Sequence, residues 1–132
     1  MKKARVAKSG KHKHLIGEPH KEYFKDGSVS CEGFFVNGKK TGVWKYYLAN
    51  GNLKAIGKFT DGKMSGKWKW YRKNGELMQT GTFLDEKKSG LWKRYYENGN
   101  LMDETDFINN KKTGTVRKYD KQGQPVKSRL KV

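Results

Sequence analysis

One set of residues in this sequence could do chemistry, and it consists of cations placed beside tyrosines. The set recurs every 24 residues: Lys45 with Tyr47, Lys69 with Tyr71, Lys93 with Tyr95, and Arg117 with Tyr119. A row of cations beside aromatic rings can follow a phosphate backbone while the rings stack on bases. A plainer interpretation is that each aliphatic lysine stem covers its neighbouring ring while the ammonium stays in water. The pattern therefore gives Lys45, Lys69, Lys93 and Arg117 as candidates for a nucleic-acid-binding ladder, while a row of lysine stems packed on tyrosines explains it equally simply.

Positive charge is concentrated at the two ends of the chain. Of the formal net charge of +17, residues 1–21 contribute +6, residues 111–132 contribute +7 and residues 22–110 contribute +4. Basic ends on a nearly balanced body are typical of arms that hold a polyanion. The terminal candidates for anion binding are Lys2, Lys3, Arg5, Lys8, Lys11 and Lys13 near the start, and Lys118, Lys127, Arg129 and Lys131 near the end.

A second row of lysines falls at predicted turns and would line one edge of the sheet. Its members are Lys39, Lys40, Lys63, Lys87, Lys88, Lys111 and Lys112. Lysines at such places are usually solvated, and they discourage aggregation through the edge of a sheet. A phosphate-binding edge is the alternative interpretation of this row.

Residues for catalysis or metal binding do not form the constellations that such sites need. His12, His14 and His20 have no cysteine or acid at metal-site spacing. Acids cluster at residues 103–106, but a general acid–base pair needs a pocket, and a single-layer sheet offers little space for one. No glycine-rich loop opens a helix, as a nucleotide-binding loop would. We therefore expect no enzymatic activity, no cofactor, no metal and no small-molecule substrate.

The cysteine content and the hydropathy pattern bear on where the protein works. Cys31 is the single cysteine, so an internal disulfide is excluded, and we interpret it as an ordinary side chain rather than a nucleophile. No apolar run approaches the ~18 residues of a membrane helix, and no apolar segment of a secretory signal follows the basic start. A cytoplasmic protein is the expectation.

A 24-residue repeat must position the cations. Its markers are the tryptophans Trp44, Trp68 and Trp92, the tyrosines named above, and the glycines Gly51, Gly75 and Gly99. A fixed period of this length indicates repeat architecture. Asn-Gly dipeptides at 50–51, 74–75 and 98–99 predict tight turns with positive φ at both residues, and weaker breaks follow near 61, 85 and 109. We predict an all-β fold, an elongated single-layer antiparallel sheet of tandem β-hairpins with about ten strands.

The repeat also predicts the domain organisation. Residues 1–17 form a basic arm, and residues 18–132 form the repeat domain. Within it, 18–41 is an N-terminal cap, 42–65, 66–89 and 90–113 are full repeats, and 114–132 is a C-terminal cap with a basic tail. His20 and Val116 stand where the full repeats have tryptophan. Degenerate end units are typical of caps, which face solvent on one side.

Strand alternation sorts the side chains onto two faces. The tryptophans share one face, and the ladder lysines with their tyrosines lie on the other. On the second strand of a unit, Leu53 and Phe59 are expected to share a face, with Gly57 between them. A glycine inside a strand leaves room for a bulky ring. We therefore predict that a tryptophan or tyrosine covers Gly57, and likewise Gly81.

The unit Gly-x-Trp-Lys-x-Tyr-x-x-Asn-Gly-x-Leu, followed by Gly-x-Phe, resembles the MORN repeat. It is most similar to the bacterial variant found in proteins labelled as antitoxins. The resemblance covers about residues 20–130, with three close units; the 24-residue spacing and the many lysines depart from the commoner pattern. It implies a row of β-hairpins in one long twisted sheet, and a binding or scaffolding role without chemistry of its own. Anionic phospholipids and proteins are the partners that the resemblance implies.

Three functions follow as hypotheses. The first is a non-enzymatic scaffold that binds RNA or another nucleic acid through its basic ends and the Lys/Tyr ladder. The second is a protein-interaction module, antitoxin-like or scaffolding, that holds an acidic protein on its aromatic face. The third is peripheral binding to anionic membrane lipid, where basic residues contribute ~1 kcal/mol each near the surface.

Overall fold

The computed structural model describes residues 17–114 and 116–127, which form a single antiparallel β-sheet with no helix. Without a helix, this part of the chain has none that is long and apolar enough to cross a membrane. The strands are β1 Glu18–Tyr23, β2 Val29–Val36, β3 Lys39–Tyr47, β4 Leu53–Thr60, β5 Lys63–Tyr71, β6 Leu77–Leu84, β7 Lys87–Tyr95, β8 Leu101–Ile108, β9 Lys111–Lys112, β10 Arg117–Tyr119 and β11 Pro125–Val126. The predicted all-β fold is confirmed. The predicted basic arm lies outside the described residues, apart from Gly17.

Each strand pairs with its neighbours in chain order from β1 to β8. Beyond β8 the path continues to β10 and β11, while the short strand β9 also pairs with β8. The eleven strands therefore occupy ten successive places, close to the predicted number. The last strands have only two or three residues each, whereas β3, β5 and β7 have nine. Sheet order thus follows the 24-residue repeat, and the regular pairing fades in the last unit.

The hairpins use two kinds of turn, and the predicted assignment of the tight turns was wrong. At Asn50-Gly51 only the glycine has positive φ, +89°, and Asn50 Oδ1 instead accepts a hydrogen bond from the Asn52 amide. The amide of Gly51 donates to the Leu48 carbonyl, so this is a longer loop ending in a left-handed glycine. The two-residue turns with positive φ at both positions lie at the other ends of the strands. They are Asn37-Gly38, Asp61-Gly62, Asp85-Glu86 and Asn109-Asn110.

The predicted close approach to the strand glycines is confirmed. The indole of Trp68 lies on Gly57, where a Cβ atom would be 1.9 Å from Trp68 Cδ2. The pairing register shifts at this point, and Trp68 Nε1 donates to the Lys58 carbonyl at 3.1 Å. Trp44 makes the same contacts with Gly33 and Phe34, as does Trp92 with Gly81 and Thr82. Each tryptophan therefore seals the preceding hairpin, and we call this contact the Trp–Gly lock.

The core is a thin row of rings on one side of the sheet, which we call the tryptophan face. Trp44 is fully buried, and Trp68 and Trp92 are 2% and 5% exposed. Between them stand edge-on phenylalanines, with Phe59 centred 5.2 Å from Trp68 and Phe83 centred 5.0 Å from Trp92. Edge-to-face pairs contribute about 0.5–1.5 kcal/mol each beyond the area they bury. Stacked rings thus replace a deep aliphatic interior.

A bulge in each hairpin corrects one predicted face. Tyr46 pairs with Ala55, but the register then shifts and Tyr47 pairs with Leu53. Paired residues of antiparallel strands lie on the same side. Leu53 therefore lies on the side of Tyr47, not on the side of Phe59 as strict alternation predicted. Leu77 and Leu101 pair with Tyr71 and Tyr95 in the same way.

Candidate functional site

The predicted ladder lies in one line across the face opposite the tryptophans, which we call the lysine face. The pairing runs Lys45, Ile56, Lys69, Thr80, Lys93, Glu104, Arg117. Since strands lie ~4.8 Å apart, successive ladder cations are about 10 Å apart along this line. The register therefore brings Lys45, Lys69, Lys93 and Arg117 together as the 24-residue spacing predicted.

At its C-terminal end the ladder is paired with acids of the same chain. Glu104 lies 3.3 Å from Arg117 and 4.0 Å from Lys93, and Asp106 lies 3.6 Å from Arg117. The hydrogen bond that Arg117 donates to the Glu104 carboxylate raises the pKa of Arg117. Tyr119 also donates to Glu104. These cations are partly neutralised within the protein, a feature that the cation spacing alone did not indicate.

At the N-terminal end a carboxylate also faces the ladder. Glu32 pairs with Lys45 across β2 and β3, and the Tyr47 hydroxyl donates to its carboxylate. Burial of Tyr47, together with this hydrogen bond, raises the pKa of Tyr47 to about 12. Tyr47 is thereby held in place as a packing residue, and its phenol remains neutral at physiological pH.

The middle of the lysine face has a different character. Lys58, Lys67 and Lys69 are exposed there, and we call them the central lysine cluster. Their cross-strand partners are uncharged: Val43, Ser65, Thr82, Ile56 and Thr80. A shallow cleft of about 360 Å³ opens beside the cluster, lined among others by Lys93, Thr80 and Thr82. In the described residues, this is where positive charge on the lysine face meets no acid.

Sequence reasoning missed two members of this cluster. Lys58 and Lys67 belong to repeat positions that hold other residue types elsewhere, such as Thr82 and Leu91. Recurrence in every unit therefore does not distinguish Lys58 and Lys67 from other surface lysines. Strand alternation alone would have placed Lys67 beside Lys69, because two positions along a strand return to the same face. Locating Lys58 beside them requires the register between β4 and β5.

The remaining candidates fall into two groups. Lys118 is exposed on β10 but pairs with Asp103, which puts it on the tryptophan face, and Lys127 is exposed after β11. The other terminal candidates lie outside the described residues: Lys2, Lys3, Arg5, Lys8, Lys11, Lys13, Arg129 and Lys131. The turn lysines divide as well. Lys40 and Lys88 lie over the rings of Trp44 and Trp92 at 4.8 and 4.7 Å, while Lys39, Lys63, Lys87 and Lys111 are exposed.

Side chains with catalytic or ligating potential are engaged in packing. Cys31 is buried, and burial, reinforced by the Glu22 carboxylate, raises the pKa of its thiol, which disfavours the nucleophilic thiolate. His20 Nε2 lies 3.0 Å from Glu22 and its ring packs edge-on against Phe35. Within residues 17–114 and 116–127, no three His, Cys, Asp or Glu side chains are grouped to hold a metal ion. His12 and His14 lie outside these ranges.

Comparison with known proteins gives one family. The model of the MORN repeat variant matches three successive segments, residues 40–61, 64–85 and 88–109. Their starts are spaced by the period of the tryptophans, and together they make up half of the 132 residues. No curated protein matches the chain. With the matched segments spanning β3 to β8 and one hairpin in each, this chain belongs to the MORN repeat variant family.

Proposed function

We propose that this protein is a non-enzymatic repeat scaffold that binds RNA on the lysine face, with the basic ends adding further phosphate contacts. The observation that carries the proposal is the distribution of charge on that face. Acids stand opposite the ladder at both ends of the sheet, at Glu32 and Glu104, whereas the central lysine cluster faces no acid of the described residues. Uncompensated lysines attract phosphates and release counterions on binding.

The geometry favours a backbone-following mode over base readout. The cations stand in a line across a broad sheet, and the tyrosines beside them are half-buried rather than free to stack on bases. Recognition of folded RNA depends mainly on shape and on phosphate contacts. The proposal therefore predicts weak sequence preference and a strong dependence on salt.

A charge-matched pair of variants tests the proposal. The first variant combines Lys58→Gln, Lys67→Gln and Lys69→Gln. The second combines Lys25→Gln, Lys73→Gln and Lys121→Gln, which change three exposed lysines in the loops that join β1 to β2, β5 to β6 and β10 to β11. Both lower the formal net charge from +17 to +14. Binding of a fluorescent RNA hairpin is measured by anisotropy over a salt series. Three lost phosphate contacts should flatten the slope of log K against log salt by about 2 for the first variant.

The control variant should keep nearly the wild-type slope, because its lysines are away from the face. Equal slopes for the two variants would show that net charge alone governs binding and would refute the lysine face as the site. In a third variant, the six cations of residues 2–13 are changed to glutamine. The loss of RNA affinity in this variant gives the contribution of the N-terminal arm to binding.

A protein partner on the tryptophan face is the second candidate function. The observation that favours it is a set of half-buried rings, Tyr46, Trp70 and Phe83, which no second layer covers in the part of the chain that the structure describes. Aromatic side chains are enriched in protein interfaces. Purification from the native cell with nuclease distinguishes the two: an RNA partner is lost, and a protein partner is retained. Flotation with anionic vesicles tests for a lipid partner.

A further inference from the structure

Within the described residues, the Trp–Gly lock is broken near the C-terminal end of the sheet. In strand pairing, Trp44 stands opposite Gly57 and Trp68 stands opposite Gly81, and the tryptophan of the following unit covers each of these glycines. Trp92 stands opposite Thr105 instead of a glycine. Thr105 thus holds the glycine position, and Val116 holds the position of the tryptophan that would cover it. Both partners of the lock have changed together. A small side chain has replaced an indole, and a threonine has taken part of the released space.

A cleft of about 360 Å³ lies at this break on the tryptophan face, and we call it the C-terminal cleft. Trp92 and Phe107 form its apolar base. The polar side chains that line it are Gln79, Lys88, Arg94, Asp103, Thr105, Lys112 and Lys118. Its volume is within the ~300–1,000 Å³ range of small-molecule sites. The cleft is on the opposite side of the sheet from the central lysine cluster, so the two are separate.

The charge in this cleft is unbalanced. Among the residues that the structure describes, four cations line the cleft against one acid, Asp103. Asp103 is buried and is engaged by Arg94, whose Nε lies 3.1 Å from both carboxylate oxygens and whose Nη2 also donates. This hydrogen bonding raises the pKa of Arg94. The carboxylate therefore orients Arg94, and the described lining holds no second acid for the three lysines.

The positions of the cations suit a compact anion. Lys88 Nζ is held over the rings of Trp92 and Phe107 at 4.7 and 5.0 Å, which keeps its ammonium at the base. Lys112 and Lys118 are exposed on the two short strands that both pair with β8. Several cations that line one cleft favour a phosphate dianion, whose oxygens accept charge-assisted hydrogen bonds. Gln79 and Thr105 add neutral hydrogen-bonding groups for the rest of a ligand.

We propose that the C-terminal cleft binds a small soluble phosphomonoester, with Lys88, Lys112 and Lys118 on the phosphate and Arg94 held beside it by Asp103. The cleft exists because Thr105 and Val116 replace the Trp–Gly lock. The proposal does not depend on RNA binding, which the lysine face would carry on its own.

Titration calorimetry on the full chain, with ribose 5-phosphate and ribose as probes, tests the inference. Ribose 5-phosphate should bind and ribose should not. The variant Lys112→Gln with Lys118→Gln should weaken binding at least tenfold. Its charge-matched control, Lys67→Gln with Lys69→Gln, should bind ribose 5-phosphate as the wild type does and bind RNA more weakly. Equal weakening in both variants, or equal heats from the two probes, would overturn the proposal.

A second variant keeps the test independent of folding defects. Thr105→Gly with Val116→Trp restores the lock and fills the cleft. We expect this variant to melt at a higher temperature than the wild type and to lose ribose 5-phosphate binding. A variant that melts higher and still binds would refute the site. Binding to phosphatidate vesicles without binding to free ribose 5-phosphate would likewise overturn a soluble ligand.

Discussion

One row of side chains on the tryptophan face differs between the two halves of the sheet. In the N-terminal half the paired positions hold Cys31, Tyr46, Ala55 and Trp70; in the C-terminal half they hold Gln79, Arg94, Asp103 and Lys118. The regular hairpins of both halves, from β3 to β8, share turn conformations, bulges and pairing. The repeat therefore specifies the backbone, and the residues at one position decide whether a hairpin packs or presents charge.

Changes in the Trp–Gly lock are expected to give the largest difference in stability between the two halves. Gly57→Thr should destabilise the protein by about 3 kcal/mol or more, because a side chain would overlap the Trp68 indole. Thr105 is at the equivalent position, where no indole covers the backbone. Thr105→Gly should therefore change the free energy of unfolding by about 1 kcal/mol at most. Urea denaturation monitored by tryptophan fluorescence measures both.

The natural exchange at Thr105 and Val116 adds a sharper test. Gly57→Thr combined with Trp68→Val should be less destabilising than the sum of the single changes, by about 1–3 kcal/mol. The reason is that threonine fits once the indole has gone. Additive effects would contradict the coupling of the two positions.

The Arg94–Asp103 pair is the next largest difference between the halves. Arg94→Gln should destabilise by about 1–2 kcal/mol, since the buried carboxylate loses charged donors while the exposed side of the arginine limits the effect. Lys118→Gln is the control: Lys118 pairs with Asp103 across the strands, and we expect a change within about 0.5 kcal/mol. Thermal unfolding of both variants at neutral pH gives the comparison.

Tyr47, in the N-terminal half, makes the stability of the protein depend on pH in the alkaline range. Its pKa, raised to about 12 by burial and by Glu32, lies above its ordinary value of 10. The folded state therefore holds this proton more tightly, so the contribution to stability is complete below pH 10 and is lost as the pH rises through 12. Tyr47→Phe should lose less stability over this interval than the wild type. Ultraviolet titration should show one fewer late-ionising phenol, and an unchanged titration curve would contradict the assignment.

The smallest predicted effect concerns the two-residue turns. The second residue of these turns is glycine in the N-terminal half, at Gly38 and Gly62. In the C-terminal half Glu86 and Asn110 occupy this position in the same left-handed conformation. Glu86→Gly should stabilise by about 0.5–1 kcal/mol by removing backbone strain, and Gly62→Glu should destabilise by a similar amount. The midpoints of chemical denaturation compare the two; shifts in the same direction would argue against strain as the cause.

The period of the sequence was enough to predict the hairpins, the line of ladder cations and the rings over the glycines. These follow from residue types that recur in every unit, so each copy supports the others. Features present in a single unit have no such support from other copies, and they were not predicted. Lys58 and Lys67 do not recur, and Leu53 changes face through a bulge that alternation does not reveal.

The C-terminal cleft shows a different limit. Its two determinants, Thr105 and Val116, are visible in the sequence as departures from the repeat, and Val116 indicated only a fading cap. Knowing that they touch the same space requires the contact geometry of the intact units, in which the later tryptophan lies on the earlier glycine. The turn assignment failed because Asn-Gly suits both a two-residue turn and a longer loop.

The direction of the Trp–Gly lock matters during synthesis on the ribosome. Each indole belongs to a hairpin that is translated after the glycine it covers. At ~5–20 residues per second, a new 24-residue unit emerges every one to five seconds and closes its predecessor. A nascent chain thus leaves a single site uncovered at any moment, at its growing end. At the break in this pattern Thr105 supplies a side chain of its own, so this position does not have to wait for a later tryptophan.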